Sequence, residues 1–266
     1  MITQQQRDIM YKGLAVTGRI AFDADEYAKI EAGLAVDPSD YFLWCARGVM
    51  STDLDVSIES YSRALALRPL SCNTLYNRAR KYMSLGRYIE ATADFALSTL
   101  LDPDDGWKWH FYGVALYFTS RLEEAARTFE KAIAANEKNG LPLLPFDAEW
   151  QWNCYCKAGD LEAAQRCIAG VTVDTPVVET ESTYKRRILL YRGLLTPEEF
   201  LAGIDESDRL EAANQRYGLA NYYYYLKKDT AMSLKYLDEV LAIQEAALCW
   251  GYKMAALDRP LRQSAI

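Results

Sequence analysis

The sequence predicts an all-α protein, an α-α superhelix of about six helix pairs closed by a C-terminal helix. Three observations lead there. Tyr61, Phe95 and Phe129 stand 34 residues apart. On the same step, small residues precede them by four positions (Ser57, Ala91, Ala125) and follow by three (Ala64, Ser98, Ala132). Pro69 and Pro103 keep the same period. A helical hairpin cannot bury its apolar stripe alone, so hairpins stack, and a fixed sequence period is the imprint of that stacking. The small residues let two helices approach and the aromatic fills the wedge between them. The proline ends the second helix at the same point each time.

In chain order, residues 3–17 are predicted as a first helix, with a turn at Gly18 and around 23–25. Tyr27, Ile30 and Leu34 at helical spacing predict a helix from Glu26 to Val36, closed by Asp37-Pro38. Residues 3–38 thus read as a degenerate first unit. Residues 40–137 hold three units. In the first of them Trp44, Arg47 and Gly48 match Leu75, Arg78 and Ala79 at 31 residues instead of 34, which predicts a turn shortened near 51–55. The full-length units span about 72–103 and 106–137. Gly140, Pro142 and Pro145 then mark a break. A fourth unit covers 146–170, with helices at 148–157 and 161–169 around the Gly159-Asp160 turn, and 171–179 reads as a loop. Residues 182–258 form divergent helix pairs over 184–194, 200–204, 210–226, 229–243 and 246–257. Thr196-Pro197-Glu198-Glu199 carries a capping-box helix start, and Asp258-Arg259-Pro260 is expected to stop the last helix. The whole, 1–266, reads as a single solenoid.

The best-formed copy is Leu75-x-x-Arg78-Ala79-x-x-Tyr82, Gly86, Ala91-x-x-x-Phe95 and Pro103. The next is Trp109-x-x-Tyr112-Gly113-x-x-Leu116 with Ala125-x-x-x-Phe129. This phrasing resembles the tetratricopeptide repeat family. The resemblance implies a right-handed superhelix whose first helices line an inner groove, and a role in binding other proteins. The last third resembles the C-terminal part of a bacterial family of tetratricopeptide lipoproteins, in the phrases Tyr191-Arg192-Gly193-Leu194-Leu195-Thr196-Pro197-Glu198, Tyr217-Gly218-Leu219-Ala220-Asn221-Tyr222-Tyr223, and Ala246 to Leu257. Those proteins are outer-membrane adaptors that dock cell-wall hydrolases and a processing protease. Their lipid anchor requires an early cysteine behind a signal peptide. Here the first cysteine is Cys45, and the first twenty residues carry Arg7, Asp8, Lys12 and Arg19, so location and partners do not carry over.

The net charge of −7 and a pI near 5.0 count against a nucleic-acid surface. The six cysteines are scattered and read as buried thiols of a reducing compartment. No signal peptide or membrane span is expected, and the expected location is cytoplasmic.

No enzyme is predicted. His110 is the single histidine, and no nucleophile–base motif surrounds it; a hydrolase pairing His110 with Glu149 is a remote alternative. No metal or cofactor is expected. Cys154, Cys156 and Cys167 lack the paired spacing of a zinc site. Asp102-x-Asp104-x-Gly106 is followed by Gly113 where a calcium loop needs its twelfth-position acid, so these acids read as caps. No glycine-rich phosphate loop occurs. Lys185-Arg186-Arg187 with Arg192 reads as a solvated helix face. Tyr222–Tyr225 reads as core or inter-helix packing, with entry into the groove or a homodimer contact as the second reading.

By the family's phase, the groove would be lined by Asn73, Tyr76, Asn77, Arg80, Trp107, His110, Tyr117, Glu149 and Asn153. Amides bond an extended peptide backbone and aromatics supply area, so the expected partner is a peptide segment or a protein domain. Of the positions that some relatives use to clamp a chaperone tail, here Cys45, Tyr76, His110, Val49, Arg80 and Val114, Arg80 alone fits. The predicted function is a scaffold or adaptor. The alternative is a peptide-sensing regulator that changes conformation on binding.

Overall fold

The computed structural model describes residues 24–177 and 182–264 and contains fourteen α-helices, with no strand among the described residues. The chain divides into two compact units, Met1–Leu143 and Leu144–Ile266. The predicted helix at 3–17 lies outside the described residues.

In the first unit, α1 (Ala24–Val36) precedes three hairpins: α2 (Tyr41–Met50) with α3 (Leu54–Leu67), α4 (Cys72–Ser84) with α5 (Tyr88–Leu101), and α6 (Gly106–Phe118) with α7 (Leu122–Lys138). Each first helix packs on its own second helix and on the second helix before it. Aspartates start several of these helices. Asp40, Asp53 and Asp105 each accept two backbone N–H groups of the following turn. The cap of α6 is thus Asp105, just after the two acids expected to cap it; Asp102 instead accepts from Lys108 at 2.9 Å and Asp104 from Lys138 at 2.7 Å.

The periodic residues form the core. All nine, from Ser57 to Ala132, are buried. The reason for small residues opposite the aromatics is steric: a β-carbon on Gly48 would come within 2.7 Å of the Tyr61 ring, and one on Gly113 within 2.7 Å of the Phe129 ring. In the hairpin between them Ala79 takes this place. Two tryptophans at equivalent positions tie each hairpin to the preceding turn, Trp44 donating to the Pro38 carbonyl at 2.9 Å and Trp109 to that of Pro103 at 2.8 Å. Arg78 joins three helices, with a bidentate pair to Asp94 at 2.7 and 2.8 Å and a bond to Ser62 at 3.0 Å.

The three-residue deficit of the 40–68 hairpin is placed differently from the expectation. The turn between its helices has the same length as those of its neighbours. It is α2 that is short, at 10 residues against 13 in α4 and α6. Dropping nearly one helical turn keeps the shared face aligned.

The second unit comprises α8 (Pro145–Ala158), α9 (Leu161–Cys167), α10 (Ser182–Tyr191), α11 (Pro197–Ala202), α12 (Arg209–Asn221), α13 (Thr230–Ala242) and α14 (Trp250–Gln263). Gly159, at φ 84°, ends α8 in the left-handed conformation that favours glycine. The capping box at the start of α11 is formed, Thr196 accepting from the Glu199 N–H and Glu199 from that of Thr196. Two expectations fail here. The 210–226 segment is α-helical only to Asn221 and then widens into a π turn, Tyr222–Lys227. And α14 does not stop at Asp258-Arg259-Pro260 but runs on to Gln263. Proline there removes a helix bond. The helix continues because Arg262, only 2% exposed, donates to the Ala220 carbonyl at 3.0 Å, to Ser233 at 2.7 Å and to Asp258 at 2.8 Å.

Candidate functional site

Seven of the nine groove candidates lie in the first unit. Asn73 is exposed on α4; Asn77 and Arg80, one and two turns on, are half-buried; Tyr76 is buried. On α6, Trp107 is half-buried, whereas His110 and Tyr117 are buried. The two helices bring one cluster together. The Arg80 guanidinium lies over two rings, 4.6 Å from the centre of Phe111 and 5.6 Å from that of Tyr76. Phe111 is the hub: its ring centre is 5.9 Å from Tyr76, 6.1 Å from Trp107 and 5.2 Å from His110. His110 also meets the Phe129 ring edge-on at 5.7 Å, so the imidazole is part of the aromatic core.

Sequence reasoning missed Phe111. It follows Trp107 by four positions and therefore shares its helix face, a signal hidden by adherence to the consensus phase.

The electrostatics of this cluster are positive. A planar guanidinium stacked on aromatic faces holds its donors in a fixed plane. Next to it, burial and then the charge of Arg80 hold the Lys81 ammonium below its ordinary pKa. Burial pushes the Tyr76 hydroxyl up to about 12. Lys108 is nearly enclosed; burial opposes its charge, but hydrogen bonds to Asp102 at 2.9 Å and Asp105 at 2.6 Å raise its pKa overall.

Glu149 and Asn153 lie on α8 in the second unit, and both are buried. Arg187 grips the Glu149 carboxylate with bonds of 2.7 and 2.8 Å, and Tyr191 donates to it at 3.2 Å. Burial alone would lower the Arg187 pKa; the charge and hydrogen bonds of Glu149, with the charges of Glu211 and Tyr184, together outweigh it and raise the pKa. Burial, then the Glu149 charge, raises Tyr191. Asn153 accepts from Asn221 at 2.8 Å, Asn221 from Arg262, and Asp258 takes bonds from Arg262, from Tyr217 at 2.8 Å and from Lys157. A cleft of about 20 Å³ beside Glu149, Asn153 and Arg187 has room for one water. These side chains serve the interior.

The basic cluster is also structural, contrary to the solvated face expected. Lys185 donates to the carbonyls of Val173 and Thr175 at 2.6 and 2.7 Å, Arg186 to that of Phe200 at 2.9 Å, and Arg187 holds Glu149. The tyrosine run packs inward as read. Tyr222 is buried, Tyr223 stacks on Tyr236 at 5.6 Å, and Arg262 lies over Tyr224 and Tyr225.

Comparison with known proteins agrees with this construction. Residues 73–105 match the family model of the tetratricopeptide repeat. Residues 73–105 form a tetratricopeptide repeat, and the fold is that of stacked repeats of this kind. Over 93 residues this repeat protein is 28% identical to small glutamine-rich tetratricopeptide repeat-containing protein 2 of Mycosarcoma maydis, a match covering 35% of the chain and 26% of the relative. Over 92 residues it is 33% identical to tetratricopeptide repeat protein 28 of Homo sapiens, covering 35% of the chain and 4% of that protein. The match therefore spans about a quarter of the first relative and much less of the second. Among solved structures, a tetratricopeptide repeat protein from Parabacteroides merdae ATCC 43184 is similar in fold, with a TM-score of 0.61 at 13% identity, over 98% of this chain and 100% of that one. Stacked repeats of this kind are protein-interaction folds, typically scaffolds without catalysis. Among the described residues no helix is long and apolar enough to cross a membrane.

Proposed function

We propose that the first unit is an adaptor surface that holds an extended peptide or a partner segment along α4 and α6, with Tyr76, Arg80, Trp107 and His110 at its centre. The observation that supports this most is the Arg80 guanidinium stacked 4.6 Å from Phe111, with the amides of Asn73 and Asn77 on the same side of α4. Such a site offers flat apolar area, a fixed positive charge and backbone-pairing amides, components of extended-peptide recognition. Glu149 and Asn153 act in this reading through the interior of the second unit. The protein is a scaffold, and His110 supports the aromatic floor without taking part in catalysis.

Selection of a displayed library of 12-residue peptides on the full chain tests this. Peptides captured by the wild type are expected to bind Arg80→Ala and Trp107→Ala at least about tenfold more weakly, the loss of one good contact of about 1.4 kcal/mol. Equal binding by wild type and both variants would remove the proposed site.

A further inference from the structure

The outward side of α5 breaks the pattern of its neighbours. Ile89, Ala93, Ala96 and Leu100 follow one another at steps of four, three and four, a single helix stripe. Ile89 is 77% and Leu100 75% exposed, Ala93 is exposed and Ala96 half-buried. One period earlier the same positions are Asp55, Glu59, Ser62 and Ala66; one period later they are Glu123, Arg127, Glu130 and Ala134. Packing between hairpins requires no large apolar residue at these places, since the flanking repeats put charged residues, serine or alanine there. An apolar stripe at solvated positions of one repeat alone points to a contact made outside the hairpin stack.

Beside the stripe runs a cleft of about 320 Å³, lined by Ala96, Thr99 and Leu100 of α5, Trp109 and Tyr112 of α6, and Glu124, Arg127 and Lys131 of α7. Its floor is the Trp109 ring, with the Lys131 ammonium 4.6 Å from the ring centre. The acid of the cleft is already neutralised: Glu124 accepts from Arg121 at 2.5 Å and from Tyr112 at 3.2 Å. Arg127 and Lys131, one turn apart and exposed, make no ion pair among the described residues. The cleft is thus apolar at its base and positive at one rim.

We propose that this outward face of α5, with its cleft, docks an amphipathic helix that carries carboxylates beside its apolar stripe. A helix ridge with a parallel groove is the surface into which a second helix packs. The stripe spans about 16 Å, three turns at 1.5 Å per residue. Carboxylates on the incoming helix give Arg127 and Lys131 the partners they lack, at a rim where such pairs set orientation and specificity. A second copy of the chain fits less well. An isologous contact brings the same cations to both sides, and the carboxylate in the cleft is already held by Arg121. This surface is built on α5 and α7 with Trp109 and Tyr112 of α6, and it shares no residue with the proposed α4–α6 site.

The test is selection from a displayed library of 16-residue helical peptides, apolar residues fixed at the four-three-four spacing and flanking positions randomised. The full chain is expected to enrich acidic flanks. Those clones should lose at least tenfold in affinity to Leu100→Asp and show reversed flank preference on the Arg127→Glu, Lys131→Glu double variant, while Arg80→Ala leaves them unchanged. All these substitutions but Arg80→Ala are at exposed positions; circular dichroism confirms that each variant keeps its helices. Clones that ignore Leu100→Asp, flanks without acidic enrichment, or a self-association in sedimentation velocity that Leu100→Asp abolishes would each overturn the proposal.

Discussion

The two units hold their helices together by different means. In Met1–Leu143 the repeated device is a steric lock, Gly48 under Tyr61 and Gly113 under Phe129 with Ala79 in the equivalent place, beside single polar ties such as Arg78 to Asp94 and Ser62. In Leu144–Ile266 it is a set of unique buried polar bonds, Arg187 with Glu149 and Tyr191, and Arg262 with Asp258, Ser233 and Ala220. The lock uses apolar and small residues only and repeats from hairpin to hairpin. The polar network commits its arginines, acids and amides to the interior. Function is therefore sought in the first unit, and the second is read as a structural body.

The sharpest way to break the comparison is to remove one partner of a buried pair. Glu149→Ala leaves Arg187 charged and buried with the part-exposed Glu211 carboxylate at 3.3 Å as its remaining acid, and is expected to cost about 3 kcal/mol, read as a large drop in the urea midpoint. A double replacement, Glu149→Leu with Arg187→Met, should recover much of that loss, because apolar packing can stand in for a buried ion pair. If the single variant is as stable as the wild type, the network does not hold the unit.

Next in size is the lock itself. Gly113→Ala forces a β-carbon against Phe129 and is expected to cost about 1–3 kcal/mol. Adding Phe129→Leu should relieve part of this clash, a coupling that a double-mutant cycle measures. Additive losses would mean that the two residues do not oppose each other. Arg262→Met removes charge-assisted bonds that hold α14 past Pro260, and should cost about 2 kcal/mol with faster amide exchange at the end of that helix. A separate effect concerns alkali. Tyr76, raised to about 12 by burial, stays protonated in the folded chain after its unfolded counterpart ionises near 10. Its contribution is complete below pH 10 and declines between pH 10 and 12, by about 1.4 kcal/mol per pH unit. Tyr76→Phe should flatten that part of the stability curve.

The same contrast explains what could be read from the sequence. The lock depends on residues within one hairpin, repeated at a fixed step, so Tyr61, Phe95 and Phe129 announce the fold. The network joins residues far apart in the chain: 38 positions between Arg187 and Glu149, 42 between Arg262 and Ala220. No local pattern marks such a pair, which is why Lys185-Arg186-Arg187 looks solvated and Pro260 looks like a stop. The π turn at Tyr222–Lys227 is equally silent, since it depends on Tyr223 finding Tyr236 and on Arg262 covering Tyr224. Of the proposed binding face, Tyr76, Arg80, Trp107 and His110 follow from repeat phase. Phe111 does not, because the consensus gives its position no role.

The account rests on the repeats of the first unit being the part that meets a partner. Hydrogen–deuterium exchange of the full chain, with and without a peptide selected on it, tests this most directly. Slowed exchange in 72–138, with 144–264 unchanged, is the predicted result. Protection confined to 144–264 would contradict it.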